Sequence, residues 1–408
     1  MLKNLFNSES VQKIFDILKS VGSESRFIGG CVRDAVLGIN ISDIDIATTC
    51  LPQEIESVLN KYGIKTFTVG KDFGTIVAVT EQGSYEITTL RKDVEFYNGR
   101  HAVVEYSQDW QEDAARRDFT FNAMSYCPYQ DKLFDYFSGQ EDLAKGFVRF
   151  IGKANDRVSE DYLRILRFFR FYTYYGKSFD VESFNACVKN AKNLSKISAE
   201  RRWQELAKIL SNKNYIDTLD LMIQNNVIQH VLSVDVPCAI IDDLKLVNSF
   251  LIEKKHDISY MFVLFSLSYL AKIKIKDLKK VLRLSNKEEK YLSTILECVN
   301  AVRSGNITPS LYWYIYKWHN LLLDGLIFVM AIDKSSAWVS LYDEVKNVLT
   351  KSLVMFPLTG HDIIEHFDVD VNDQRIGGLL DSGKKFWCKE KFKPTKEQII
   401  QYIKVHEK

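Results

Sequence analysis

The run Ser42-Asp43-Ile44-Asp45-Ile46-Ala47-Thr48 constrains this chain more than any other stretch. A strand repeats every two residues, so the run predicts an extended segment with Asp43 and Asp45 on one face and Ile44 and Ile46 on the other. The isoleucine face belongs to a core. The opposite face carries two like charges that repel and pack poorly, yet such a pair suits hard divalent cations, which take oxygen ligands. Upstream, Ser25-Arg26-Phe27-Ile28 leads into Gly29-Gly30, where the backbone can turn tightly and approach a ligand without side-chain obstruction. Residues 31–38 then read as a helix ending at Gly38, whose N-terminal amides, with Arg33 in or near the first turn, would face an anion. Further on, Tyr85, Ile87 and Thr89 alternate with Glu86 and Thr88, so a second strand can bring a third carboxylate to the same place.

At 408 residues the chain exceeds the usual size of one hydrophobic core, which predicts two or more domains or an elongated modular molecule. Hydrophobic residues at 46% and charged residues at 26%, with no glycine-, serine- or proline-rich linker, predict folding along the whole length. The N-terminal amphipathic pattern is broken by Lys13, Asp16 and Lys19 and lacks the apolar run of a signal peptide. Residues 261–271, the most apolar run, are too few to cross a bilayer, so a cytoplasmic protein without a membrane span is expected. The seven cysteines are scattered without CxxC pairs and read as buried, reduced thiols. A net charge of +1 leaves any nucleic-acid partner to local basic patches. Residues 272–290 and 383–396 mix lysines with apolar side chains, fit either for phosphate contacts or for solvated helix faces.

GGxVRD at 29–34 followed by the DxD of Asp43 and Asp45, then EDAARRDFTFNAM at 112–124 and RVSEDYLRILRFFRF at 157–171, resembles the class II tRNA nucleotidyltransferase and bacterial poly(A) polymerase family of the DNA polymerase β superfamily. VGKDFGTIVAV (69–79), FDYFSGQEDL (134–143), VRFIGKANDRV (148–158) and ISAERRWQELAKIL (197–210) agree in order, so the resemblance spans residues 25–210. It implies an α+β protein: a polymerase β-like head with a mixed sheet of about five strands, followed by all-helical neck, body and tail. The expected boundaries are 1–149 for the head, 150–212 for the neck with its nucleobase-recognition helix, 213–335 for the body and 336–408 for a tRNA-binding tail.

The same resemblance implies that Asp43 and Asp45 hold two Mg2+ ions, with Glu86 as the third acid, and that Gly29, Gly30 and Arg33 handle a triphosphate. Arg116, Arg117, Asp118 and Asn122 would contact ribose and phosphates. Asp161 and Arg164 would pair with the Watson-Crick edge of cytosine or adenine, the carboxylate accepting from the exocyclic amine and the guanidinium donating. Uracil and guanine present a carbonyl there, which selects against them. With a helix capped by Ser159, about 100° per residue places Arg164 and Arg167 within roughly 120° of Asp161, and Arg170 about 180° away, where it reaches phosphate or braces the helix.

The expected partners are the tRNA 3′ end with CTP and ATP as substrates, and the expected activity is addition of C, C and A without a nucleic-acid template. Alternatives are a poly(A) polymerase, which shares every site residue, a partial enzyme adding only CC or only A, and an inactive RNA-binding relative. The resemblance implies that the connection around Asn98-Gly99, turn-prone by its residues, favours full CCA addition, and it can at the same time form a plain β-hairpin. The DVDVND run from Asp368 fails as a calcium loop because Asp373 stands where glycine is needed. His256-Asp257 and His361-Asp362 lack the further ligands of a metal phosphohydrolase, and no Walker or Rossmann pattern is complete.

Overall fold

The structure is a computed structural model that describes residues 2–41, 43–69, 74–97, 101–334, 337–351 and 354–407, without the side chains of 93–97 and 101–103. The chain divides into two compact units, Met1–Ser233 and Val234–Lys408. The expected head and neck, residues 1–149 and 150–212, both fall inside the first.

Alternation builds the first unit. Its sheet has seven strands in the order β3-β4-β5-β2-β1-β8-β9: β1 Ser25–Ile28, β2 Asp45–Thr48, β3 Lys65–Val69, β4 Thr75–Thr80, β5 Gly83–Thr89, β8 Ser125–Cys127 and β9 Lys132–Phe134. The β1-β2 and β4-β5 pairs are antiparallel, whereas β2 and β5 run parallel, so the sheet is mixed. It is two strands wider than the five expected, with β3 at one edge and the short β8-β9 hairpin at the other. One face is apolar: Phe27 opposes Ile46, Ile46 opposes Ile87 and Ile87 opposes Ile76. These four side chains are fully buried, beneath helices α1 (Glu9–Ser20) and α3 (Pro52–Lys61). Phe15 of α1 packs on Phe27 with ring centroids 4.7 Å apart.

Strand β2 begins at Asp45, not at Asp43 as the alternation predicts. On the β1 side no partner remains ahead of Asp45: β1 ends at Ile28 and the chain turns away at Gly29, whose φ of 67° is open to glycine and strained for other residues. Helix α2 (Gly30–Leu37) follows and stops at Gly38 in the left-handed region, φ 73°, as the sequence predicts. Strands β6 (Arg91–Tyr97) and β7 (His101–Tyr106) form a separate antiparallel pair with a bulge between Asp93 and Glu95. The Asn98-Gly99 tip lies outside the described residues, as do residues 70–73 of the VGKDFGTIVAV motif.

Helix α4 (Trp110–Ala115) leads to a 3-10 turn at Thr120–Asn122. In that DFTFN segment Phe119 and Phe121 are buried in a cluster of aromatic rings with Phe150 and Phe171, with centroid distances of 4.7 to 5.5 Å. Asp118 and Asn122 are thereby left facing the other way. Helix α5 (Gly139–Lys145) presses on the turn so closely that a Cβ at Gly139 would lie 2.3 Å from the Thr120 carbonyl oxygen. A larger residue there would displace the whole segment.

The stretch 157–171 is not one helix. Helix α6 (Ala154–Glu160) ends, Asp161 is extended at φ −148° and ψ 108°, and α7 (Leu163–Tyr175) begins anew. The start of α7 is held by Asp161, whose Oδ1 accepts from the Leu163 amide at 2.9 Å. Ser159 caps nothing; its hydroxyl donates to the Asn155 carbonyl one turn back. The expected angular relation between Asp161 and the arginines therefore does not apply, because Asp161 stands outside the helix that carries them. The two-residue parallel strands β10 (Phe147–Val148) and β11 (Ser178–Phe179) and helices α8 (Val181–Asn190), α9 (Ala199–Leu210), α10 (Tyr215–Gln224) and α11 (Val227–Leu232) complete the unit.

The second unit is helical among its described residues. Its α17 (Asn320–Asp333), buried almost all round, is the core against which α12 (Ile240–Glu253), α15 (Asn286–Arg303) and α18 (Ala337–Lys351) pack; α13 (Tyr260–Leu270), α14 (Ile275–Leu282), α16 (Leu311–Trp318), α19 (Gly360–His366), α20 (Arg375–Lys389) and α21 (Lys396–His406) surround them. One member of each His-Asp pair serves the fold. His256 bonds to Asp324 at 2.6 Å, which also accepts from Tyr291 at 2.8 Å, and Asp362 caps α19 through Thr359 while pairing with Lys396. All seven cysteines are free thiols; six are buried as expected, but Cys238 is exposed. Among the described residues no helix is long and apolar enough to cross a membrane.

Candidate active site

The second face of the sheet carries the acids. In the parallel ladder Asp45 stands directly opposite Glu86, so both side chains leave the same face of adjacent strands. Asp43, just ahead of β2 and exposed, opens with Asp45 into one cavity of about 680 Å3. Burial pushes the Asp45 carboxyl up, the neighbouring charges of Glu86 and Asp43 push it further, and Arg117 pulls against them. Such a cluster of like charges is an environment that a cation relieves. Among the described residues no group of three His, Cys, Asp or Glu side chains converges into a metal site by itself. A hard divalent cation at Asp43 and Asp45 would draw its remaining oxygen ligands from elsewhere, such as substrate phosphates.

The cavity also takes in Gly29, Gly30, Arg33, Arg116, Arg117, Asp118, Asn122, Asp161, Arg164, Arg167 and Arg170, so the structure brings together every residue singled out from the sequence except Glu86. Phe171 and Lys208, which the sequence reading passed over, line it as well. Its seven cationic side chains outnumber its four carboxylates, a balance suited to a polyanion.

A chain of bonds fixes these groups. Arg33 of α2 donates from one terminal nitrogen to Asn122 at 2.7 Å and through Nε to Asp34 at 2.8 Å, tying the glycine turn to the DFTFN segment. Asn122 in turn donates to Asp118 at 3.0 Å. Asp118, 8% exposed, also accepts from the Phe119 amide at 2.9 Å and from Arg167 Nε at 2.6 Å. Burial works against its charge, but Arg167 and Asn122 more than offset that, and its pKa falls to about 2. Asp118 is thus the anchor between the turn and α7.

Arg116 and Arg117 are clamped by Asp113 of α4, which receives two bonds from Arg116 at 2.9 and 2.7 Å and one from Arg117 at 3.0 Å. Burial opposes the Asp113 charge too, and Arg117 and Arg116 prevail, holding the carboxyl below the ordinary carboxylate range. Arg164 donates to Glu160 at 2.5 Å, to the Arg157 carbonyl at 2.9 Å and to the Arg116 carbonyl at 3.3 Å. Asp161 accepts from Arg201 of α9 at 2.8 Å, and Arg170 pairs with Glu205 of the same helix at 2.7 Å. Sequence reasoning missed Asp113, Glu160, Arg201, Glu205 and Lys208. Asp113 was visible as the i,i+3 and i,i+4 partner of two arginines, and Arg201, Glu205 and Lys208 share the recurring spacing of one helix face.

Residues 25–149 match the family model described as "Poly A polymerase head domain", and residues 178–234 match "Probable RNA and SrmB- binding site of polymerase A". A glycine turn and paired acids within that head, faced by arginines from the head and from α7, define a nucleotidyltransferase. The chain is 34% identical across 412 residues to human "CCA tRNA nucleotidyltransferase 1, mitochondrial", covering 97% of this chain and 90% of that protein. It is 28% identical across 407 residues to the "CCA-adding enzyme" of Staphylococcus aureus, covering 98% and 95%. The fold matches that of the Bacillus stearothermophilus CCA-adding enzyme in complex with CTP, with a TM-score of 0.71 at 24% identity over 96% of this chain and 95% of that one. This chain belongs to the CCA tRNA nucleotidyltransferase family.

Proposed function

We propose that the protein builds the CCA terminus of tRNA from CTP and ATP without a nucleic-acid template, and that the cavity of the first unit is where each nucleotide is joined. The observation that carries this reading is the opening of Asp43 and Asp45 into the same cavity as Asp161 and Arg164. In each step the tRNA 3′-hydroxyl attacks the α-phosphorus; a P–O bond forms, the bond to the β-phosphate breaks, the hydroxyl proton is lost and pyrophosphate leaves. Gly29 and Gly30 let the backbone approach the triphosphate, and Arg33, held by Asp34 and Asn122, presents a fixed cation to it. Arg116 and Arg117 face ribose and phosphates, while Asp118, Asn122, Arg167 and Arg170 keep the frame. Mg2+ held by Asp43 and Asp45 with phosphate oxygens would lower the pKa of the attacking hydroxyl and stabilise the leaving group, Glu86 adding the third negative charge.

Asp161 and Arg164 read the base. Two of Arg164's five N–H groups remain after its bonds to Glu160, Arg157 and Arg116, and a carboxylate has acceptor sites beyond those Asp161 uses for Leu163 and Arg201. We assign residues 1–149 to the head, 150–212 to the neck, 213–335 to the body and 336–408 to a tRNA-binding tail. The free thiols agree with a reducing compartment such as the cytoplasm.

Supplying tRNA transcripts that stop before the first C, the second C or the final A with single nucleotides tests the reading. C should join the first two and A the third, with U and G excluded. Continued A incorporation into arbitrary RNA would instead mean poly(A) synthesis, and addition of only CC or only A a partial enzyme. Arg164→Ala should erode discrimination against UTP and GTP by about tenfold or more, the worth of a bidentate base contact. Glu160 keeps its pair with Arg157 at 3.1 Å in that variant, so the melting temperature should move little; unchanged nucleotide preference in competition would remove the base-reading role.

A further inference from the structure

The ladder of acids continues past the cavity. Asp45 opposes Glu86, Glu86 opposes Val77, and Val77 opposes Phe67 on the outermost strand β3. Directly paired residues share a face, so a single cross-strand row runs from the acids to Phe67. Strand spacing of roughly 4.8 Å puts Phe67 about 10 Å from Glu86 across that face. Helices α1 and α3 cover the opposite face of this part of the sheet, and the Phe67 side is open: Phe67 is 58% exposed, Val69 53% and Val79 38%. Large apolar side chains left together on an edge strand invite a partner, and folded proteins usually cover or charge them.

We propose that this open face of β3, β4 and β5 is where the single-stranded 3′ end of the RNA lies, with Phe67 as the stacking platform for one of its bases. The proposal rests on the nucleotidyl-transfer reading above. An attacking hydroxyl must reach the α-phosphorus from the side opposite the departing pyrophosphate. The triphosphate grip, Gly29, Gly30 and Arg33, follows β1 on one side of Asp45. The other side of Asp45 is β5, then β4, then β3, so the primer arrives across the row that ends at Phe67. Unpaired RNA bases stack on aromatic faces whatever their identity, which suits a platform that must serve successive primer ends. Lys65, exposed and two residues from Phe67 on the same face, supplies a cation for the backbone phosphates.

Phe67 is exposed, so its replacement should not disturb folding. Phe67→Ala should raise the KM for tRNA about tenfold or more while the KM for CTP stays within about twofold, stacking on one base being worth that much. Phe67→Trp should retain the wild-type KM, and its fluorescence, after subtraction of the wild-type signal from the six native tryptophans, should be quenched by tRNA with an unpaired 3′ end but not by the same tRNA trimmed back to its acceptor duplex. An unchanged primer KM in Phe67→Ala, or equal quenching by both RNAs, would overturn the proposal. So would a concentration-dependent dimer in light scattering that Phe67→Ala abolishes, because the edge would then belong to a second copy. Absence of incorporation by the wild type would sink the functional reading instead, and the fluorescence titration would still decide whether RNA lies on this face.

Discussion

Asp45→Asn is expected to remove nucleotide incorporation, by about a thousandfold or more, while leaving tRNA binding in place. Charge stabilisation of a phosphoryl transition state by bound cations is worth several kcal/mol, and each 1.4 kcal/mol is a decade of rate. RNA binding draws mainly on cationic groups, and the substitution removes a negative charge without deleting any of them. The same variant makes a second, opposite prediction for stability. Burial, Glu86 and Asp43 raise the Asp45 pKa in the folded state, so any stability from this carboxyl is full below its unfolded pKa and lost as pH rises through the raised value. Without divalent cations the Asn variant should therefore melt at or above the wild-type temperature at pH 7, and its advantage should vanish in acid. Thermal scans in chelator at both pH values check the sign; a lower melting temperature at pH 7 would mean that Asp45 serves the fold rather than the site.

Asp118→Ala should be among the most destabilising substitutions in the first unit. It deletes the carboxylate that Phe119, Asn122 and Arg167 share and leaves an arginine beside an empty acceptor. Breaking a buried ion pair on one side costs about 3–5 kcal/mol; because Arg167 keeps 31% of its side chain accessible, about 3 is the better figure. For a unit of this size that corresponds to a drop of about 6–12 °C in melting temperature. The pH dependence has the opposite sign to that of Asp45. With the Asp118 pKa lowered to about 2 from 3.8, its contribution is present above the unfolded value and lost as pH falls through that window. A melting point within about 2 °C of wild type, or identical acid sensitivity in the variant, would remove Asp118 as the anchor. Activity should fall as well, because Asn122 holds Arg33 and would lose its own support.

What could be read from the sequence was local. The two-residue alternation around Asp45 and Glu86 and the glycine pair at Gly29 are short-range patterns, and each forms the element its residues predict. The start of β2 falls two residues later than the alternation predicts, because strand length depends on neighbours and β1 turns away at Gly29. The break at Asp161 carried no glycine or proline; it follows from an aspartate bonding its own next turn, which competes with helix only where the surroundings allow it. The arginine partners were the least legible part. Arg33 with Asn122, Asp161 with Arg201 and Arg170 with Glu205 join elements distant in sequence, and nothing in the spacing of one element names a partner on another. Phe67 is illegible for a different reason: an apolar residue in a strand reads as core, and only the sheet order reveals that β3 is an edge.

The most direct test of the account is anomalous scattering from crystals of the protein grown with Mn2+ and a non-reactive CTP analogue. Manganese peaks are expected between the triphosphate and the carboxylates of Asp43 and Asp45, with the cytosine edge against Asp161 and Arg164. A triphosphate bound elsewhere, with no peak at those two acids, would contradict it.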